Sequence, residues 1–179
     1  MEKIYETAYA KINLGLDVLG KRSDGYHEVR MVMQSVGLSD AVEIEEGEGL
    51  VVETDHSGLA GGPDNLAWKA AELLARCCGK IPNVHIRLNK KIFLAAGLAG
   101  GSSDAAAVMR GLSRLWQLDL TAPELEKLAA ELGSDIPFCI TGGTALAEGR
   151  GEILTELPEA PELLLVLAKP KLEVATGWV

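Results

Sequence analysis

Ten consecutive residues, Ala95-Ala96-Gly97-Leu98-Ala99-Gly100-Gly101-Ser102-Ser103-Asp104, combine small side chains, two serines and one acid. Glycine lets a backbone come close to a bulky anion and adopt dihedrals other residues avoid. Apolar residues at 105, 108, 109, 112, 115 and 116 follow helical spacing and predict a helix over Ala105–Trp116. A helix start presents unpaired N–H groups and a partial positive charge. A side-chain-poor loop running into such a start is suited to cradling a phosphate. The plainer reading is a tight turn capped by Ser102 or Ser103. Neither G-x-x-x-x-G-K-[ST] nor G-x-G-x-x-G is present, so a nucleotide site here falls outside those two classes.

Three further groups could do chemistry. Lys11 stands two residues before Asn13, so on a strand their side chains point the same way, roughly 7 Å apart. Small apolar neighbours draw the ammonium toward a cleft, where it could hold a phosphate or a carboxylate; a solvated lysine is the alternative. Asp135, in Gly133-Ser134-Asp135-Ile136-Pro137, follows a helix stop. It reads either as the N-cap of a short helix or as a general base for an attacking hydroxyl. Phosphoryl transfer needs such a group because it rests on positioning and charge stabilisation. Asp24-Gly25-Tyr26-His27-Glu28 reads either as a hairpin turn whose aromatic packs on the surface, or as a turn in which Tyr26 offers a stacking face for a nucleobase and His27 hydrogen bonds for its edge. Gly142-Gly143-Thr144 and Gly149-Arg150-Gly151 suggest tight turns at the two ends of a short strand.

The elements that must position these residues follow from periodicity. Residues 7–18 alternate, with Ala8, Ala10, Ile12, Leu14, Leu16 and Val18 on one face, the pattern of a half-buried strand. Strands are expected at Val29–Leu38, Ala41–Glu45, Leu50–Thr54 and Val84–Leu88, and shorter ones at 143–148, 151–155 and 162–168. A helix capped by Asp64 or Asn65 carries Leu66, Ala70, Leu73, Leu74 and Cys77 and stops at Gly79. Another begins at Thr121 with Glu124 completing a capping box, and ends at Gly133. Strand runs broken by separated helices indicate an α+β class.

The 179 residues suffice for one domain of ordinary size, and a hydrophobic share of 47% supports a true core. A net charge of −9 disfavours non-specific binding to nucleic acid or to an anionic membrane. No apolar run reaches membrane-span length and no signal-peptide pattern opens the chain, so the expected location is the cytoplasm. Cys77, Cys78 and Cys139 are odd in number, which suits a reducing compartment. His27, His56 and His85 are widely spaced, and no protein-built metal site is expected; His85 reads as an exposed strand residue. The end of the chain, Ala175 to Val179, reads as the start of another element, which suggests a fragment of something longer. The oligomeric state is left open.

Taken in order, these segments resemble the GHMP kinase superfamily. The likeness rests on Ala10-Lys11-Ile12-Asn13-Leu14, Arg22 to Glu28, Ala96 to Ala107, Gly133 to Phe138 and Gly142-Gly143-Thr144-Ala145. The stretch around Tyr26-His27 is similar to the branch that phosphorylates a cytidyl-linked methylerythritol. The resemblance implies a domain like domain 2 of ribosomal protein S5 over residues 1–160, a mixed or antiparallel sheet carrying helices. It implies the beginning of a second domain over 161–179. It also implies transfer of the ATP γ-phosphoryl group, with Mg2+ accompanying the nucleotide. Asp135 would be the base and Lys11 its partner. Residues Leu94 to Asp104 would hold the triphosphate, and Asn65 would help place adenine. Asn13, Tyr26, His27 and Thr176 would contact the acceptor. Members of the family are about half as long again, so this chain alone is expected to turn over weakly. Phe93 replaces a frequent proline, and Ala99 a frequent glycine, tolerable only at negative φ. The rivals are another kinase of the superfamily, acting on a mevalonate-type or sugar alcohol, and a non-catalytic nucleotide-binding module.

Overall fold

A long antiparallel ribbon opens the molecule. In the computed structural model, which describes residues 3–170, β1 (Lys3–Lys21) pairs with β2 (His27–Glu46) along almost its whole length. The two strands expected within 29–45 are one, because Ser39 and Asp40 stay extended and pair with Tyr9 and Ala8. β2 is central: Ala41–Glu46 also pairs with β4 (Val84–Asn89), and Met31–Gln34 with β5 (Thr144–Glu148). β3 (Leu50–Thr54) runs parallel to β4 at one side, and β6 (Ile153–Glu156) closes the other. The sheet is therefore mixed, in the order β3-β4-β2-β5-β6 with β1 on β2.

Four helices follow from local signals. α1 (Leu66–Cys77) is capped by Asn65, whose side chain accepts from the Ala67 amide. α3 (Ala122–Ala129) starts with the Thr121–Glu124 capping box and stops short of Gly133, and α4 (Ile136–Thr141) is a short helix with Pro137 in its first turn. α2 (Gly100–Leu115) begins five residues before the expected start at Ala105. Apolar periodicity marks where a helix meets the core, and the first turn of α2 meets a loop instead.

α2 touches α1, α4, β1 and β2. Its alanines at 105, 106 and 107 are fully buried, and Gly111 lies so close to β2 that a Cβ there would sit 2.5 Å from Ile44 Cδ1. Small residues let this helix press onto the sheet, while Val42, Ile44, Ile86, Leu88, Met109 and Leu112 fill the space between. With few aromatics, aliphatic burial of about 1.5–3 kcal/mol per large side chain carries the core.

Two strand expectations are corrected. The alternating face of β1 is buried at Ala8 and Ala10, but Leu14, Leu16 and Val18 are 47%, 50% and 61% exposed. Register slips at Tyr9/Lys11, Asn13/Gly15 and Val18/Gly20 turn the face, and among the described residues no helix covers its second half. The strand expected at 162–168 is irregular chain, with Leu164 and Val166 almost wholly exposed; its apolar run is continuous rather than alternating and joins no strand of the sheet. His85 is half-buried, its ring against Gly47. Among the described residues, no helix is long and apolar enough to cross a membrane.

Candidate active site

The glycine-rich loop forms the wall of a cavity of about 260 Å³, lined by Leu66, Phe93, residues 94–102 and Asp135. Ala95, Gly97 and Ala99 have φ of +50°, +71° and +58°, alternating with residues of ordinary φ. Such alternation turns successive N–H groups toward one side and makes an anion-binding concavity. The condition of negative φ at Ala99 is therefore not met: two alanines occupy the left-handed region, which disfavours a Cβ by roughly 1–2 kcal/mol each. Strain of this kind persists where surrounding structure over-determines the backbone.

Ala99 is the N-cap of α2 and makes no side-chain cap hydrogen bond. Neither Ser102 nor Ser103 caps the turn. The first helical bond is Ser103 N–H to the Ala99 carbonyl, 2.8 Å, so the amides of Gly100, Gly101 and Ser102 precede the ladder and remain available to an anion. The loop is tied to β1 by the Lys11 amide, which donates to the Leu98 carbonyl at 3.1 Å. The residue that carries the candidate cation thereby also anchors the anion-binding loop.

Lys11 and Asp135 meet. Lys11 Nζ lies 3.6 Å from Asp135 Oδ2 and 3.4 Å from Asn13 Oδ1. The lysine side chain is 6% exposed and the aspartate 34%. Asp135 occupies the N-cap position of α4 but makes no cap hydrogen bond, so its carboxylate faces the cavity. A buried ammonium behind a reachable carboxylate can orient a hydroxyl and hold negative charge that develops beside it.

A second ionic group lies beneath the loop. Lys90 Nζ pairs with Asp40 and, at 2.5 Å, with Asp104 Oδ2; all three side chains are sealed from solvent. Asp40 also accepts from the amides of Lys91 and Ile92 at 2.5 and 2.8 Å. Burial pushes Asp104 up to about 7, against the pull of Lys90. Asp104 Oδ1 is buried without a hydrogen-bond partner. Desolvation likewise pushes the Cys139 thiol up to about 11, which leaves it inert as a nucleophile.

The structure thus brings Leu94 to Ser102, Lys11, Asn13 and Asp135 together and sets others apart. Ser103 donates its hydroxyl to the Tyr9 carbonyl, and Asp104 belongs to the Lys90 group, so both point inward rather than into the cavity. Asn65 caps α1 and donates to the Ala60 carbonyl at 2.8 Å, which occupies both ends of its amide away from the cavity wall. Thr176 lies outside the described residues. Tyr26 and His27 are exposed at the end of the ribbon, with the Arg150 guanidinium 4.9 Å from the Tyr26 ring centre, over one face. Val29 N–H donates to the Gly149 carbonyl at 2.8 Å, and a Cβ on Gly151 would lie 3.7 Å from that of Ser134. The ribbon end is tied in this way to the 149–151 turn, and the space beside Gly151 opens toward Ser134, the neighbour of Asp135. Nothing in the spacing of Lys90, Asp40 or Arg150 marks them for chemistry. A lysine pair next to the loop and an arginine between two glycines were the available signals. Among the described residues, no three His, Cys, Asp or Glu side chains are grouped to hold a metal.

Residues 65–143 match the model of the GHMP kinases N terminal domain. A 4-diphosphocytidyl-2-C-methyl-D-erythritol kinase of Acetivibrio thermocellus is 50% identical over 100% of the chain and 64% of its own length. One from Synechococcus sp. (strain JA-3-3Ab) is 53% identical over 96% of the chain and 56% of its own length. A crystal structure of 4-(cytidine 5'-diphospho)-2C-methyl-D-erythritol kinase superposes with a TM-score of 0.74 at 39% identity, covering 86% of this chain and 55% of that one. A mevalonate kinase crystal structure, at 15% identity and TM-score 0.65, shares the fold. The chain spans about three-fifths of the length of the curated relatives it matches.

Proposed function

Because the chain carries a GHMP kinase N-terminal domain, we propose that it transfers the γ-phosphoryl group of ATP to the 2-hydroxyl of 4-diphosphocytidyl-2-C-methyl-D-erythritol. The step belongs to the non-mevalonate route to isoprenoid precursors, in the cytoplasm. The observation that carries the reading is the Lys11–Asp135 pair, 3.6 Å apart, on the wall of the cavity made by the glycine-rich loop. The amides of the loop and of the first turn of α2 hold the triphosphate, residues 94–102 forming the cradle. Asp135 accepts the proton of the acceptor hydroxyl as the phosphoryl group moves onto its oxygen. Lys11 holds Asp135 in place and stabilises the charge on the transferring group. Asn13, held by Lys11, contacts the acceptor. The free face of Tyr26 stacks on cytosine, and His27 hydrogen-bonds its edge.

Magnesium supplies charge neutralisation on the phosphates when it arrives with the nucleotide. The Ser102 hydroxyl and the Asp135 carboxylate are oxygen donors on the cavity wall of the kind it takes. Residues 1–160 are read as the nucleotide-binding domain and 161–179 as the beginning of a second one.

The test is transfer from radiolabelled ATP. Label is expected on 4-diphosphocytidyl-2-C-methyl-D-erythritol and not on mevalonate, with cytidine diphosphate competing against the acceptor. Transfer to mevalonate in preference would reassign the acceptor. Nucleotide binding with transfer to neither would reduce the chain to a binding module.

A further inference from the structure

Arg110 lies in the middle of α2, behind the pair and out of contact with the glycine-rich loop. Its guanidinium reaches three places at once. Nε donates to Glu6 Oε2 at 3.1 Å, Nη2 to the Thr7 carbonyl at 2.9 Å, and Nη1 to the carbonyls of Cys139 at 2.7 Å and Ile140 at 3.3 Å. Glu6 and Thr7 belong to β1, the strand that carries Lys11 four residues further on. Cys139 and Ile140 belong to α4, the helix that follows directly on Asp135. One planar fork therefore holds both segments that bear the ionic pair.

This contact is part of a longer arrangement. Ser103 donates to the Tyr9 carbonyl and Arg114 to the Tyr5 carbonyl, at 3.2 Å for the latter. Successive carbonyls on the outer edge of β1, at residues 5, 7 and 9, are thus met by side chains at 114, 110 and 103 along one face of α2. The helix takes the place of a neighbouring strand and fixes β1 lengthwise. Arg110 also holds α4, through the two main-chain carbonyls of Cys139 and Ile140. Its charge suits the last carbonyls of that helix. A lysine keeps the charge but lacks a rigid fork of five donors.

We propose that Arg110 is a positioning residue for phosphoryl transfer, setting the separation of Lys11 and Asp135 by locking β1 and α4 to the same point of α2. The proposal rests on the reading of those two residues as the transfer pair. A misplacement on the order of 1 Å far from the chemistry can lower a rate about 100-fold.

Arg110→Lys and Arg110→Ala are the variants, read out by kinetics and by crystal structures. In both, kcat is expected to fall about 10- to 100-fold with KM for ATP within about twofold of the parent, and Lys11 Nζ to stand beyond 4 Å from Asp135. A cavity of about 390 Å³ is lined by Arg110, so free guanidinium can enter and is expected to restore part of kcat in Arg110→Ala but none in Arg110→Lys. The loss is expected to vanish when Asp135→Asn is already present, as for residues that act through one another. A lowered melting temperature with kcat, guanidinium response and the 3.6 Å separation all unchanged would overturn the proposal. If Arg110→Ala does not fold, Arg110→Lys decides. If the parent chain transfers no phosphoryl group, the function proposed above fails, while the Lys11–Asp135 separation in the variants still judges Arg110.

Discussion

Two lysine–carboxylate groups flank the same loop and differ in what surrounds them. Lys90, Asp40 and Asp104 are 1%, 0% and 2% exposed, and their partners are one another and backbone amides. Lys11 is as deeply placed at 6%, but its carboxylate partner is 34% exposed on a cavity wall. The first group fixes where α2, β2 and the segment after β4 meet. The second has an acid that a substrate can reach. Residue type alone does not separate holding from reacting; the difference lies in whether one member of the pair remains accessible.

Four substitutions break or sharpen that contrast. Asp135→Asn removes the reachable acid, and turnover is expected to drop about 1,000-fold, with nucleotide affinity by calorimetry and melting temperature nearly unchanged. Retained turnover would place the base elsewhere. Lys90→Met leaves two buried carboxylates without their cation, and a stability loss of about 3–5 kcal/mol is expected in urea titration. The same group makes stability depend on pH. Asp104 rises to about 7 in the folded chain, with burial as the main cause. Its unfolded value is about 3.9, so folding favours the protonated form. The stabilisation is complete below about pH 4 and is lost as pH rises through about 7. Asp104→Asn is expected to flatten that part of the melting-temperature profile; an unaltered slope would assign it to another group. The smallest effect concerns the loop itself. Ala99→Gly relieves a left-handed alanine and is expected to raise stability by up to about 1 kcal/mol, read by thermal melting with ATP absent.

Much of this was legible from residue order, and the misses have physical causes. Asn65, Gly79 and the Thr121–Glu124 box set helix ends through hydrogen bonds within a few residues, and local sequence reports local bonds. The phosphate-type loop and the pairing of Lys11 with Asp135 were readable from small residues before a helix and from the family resemblance. The start of α2 was misplaced because Gly100 to Asp104 carry no apolar stripe. Ser103 and Asp104 were assigned to the nucleotide because their types suit it, yet Tyr9 and Lys90 claim them from distant parts of the chain. Leu14, Leu16 and Val18 alternate as well as Ala8 and Ala10 do, and periodicity states a face without saying what covers it. Arg110 gave no signal, since its partners lie 29 to 104 residues away.

The three slips of register in the ribbon matter beyond the bending that bulges introduce. Lys11 and Lys21 share one strand, and a straight path between them would extend roughly 33 Å. At the far end the Arg150 guanidinium stands over the Tyr26 ring, and Val29 pairs with Gly149 of the same turn. On the function proposed above, the reach from Tyr26 to Asp135 is then a length written into main-chain curvature. Inserting or deleting one residue between positions 13 and 21 would alter that length and reverse the side chains beyond it, so on the function proposed above the ribbon would act as a gauge of acceptor size.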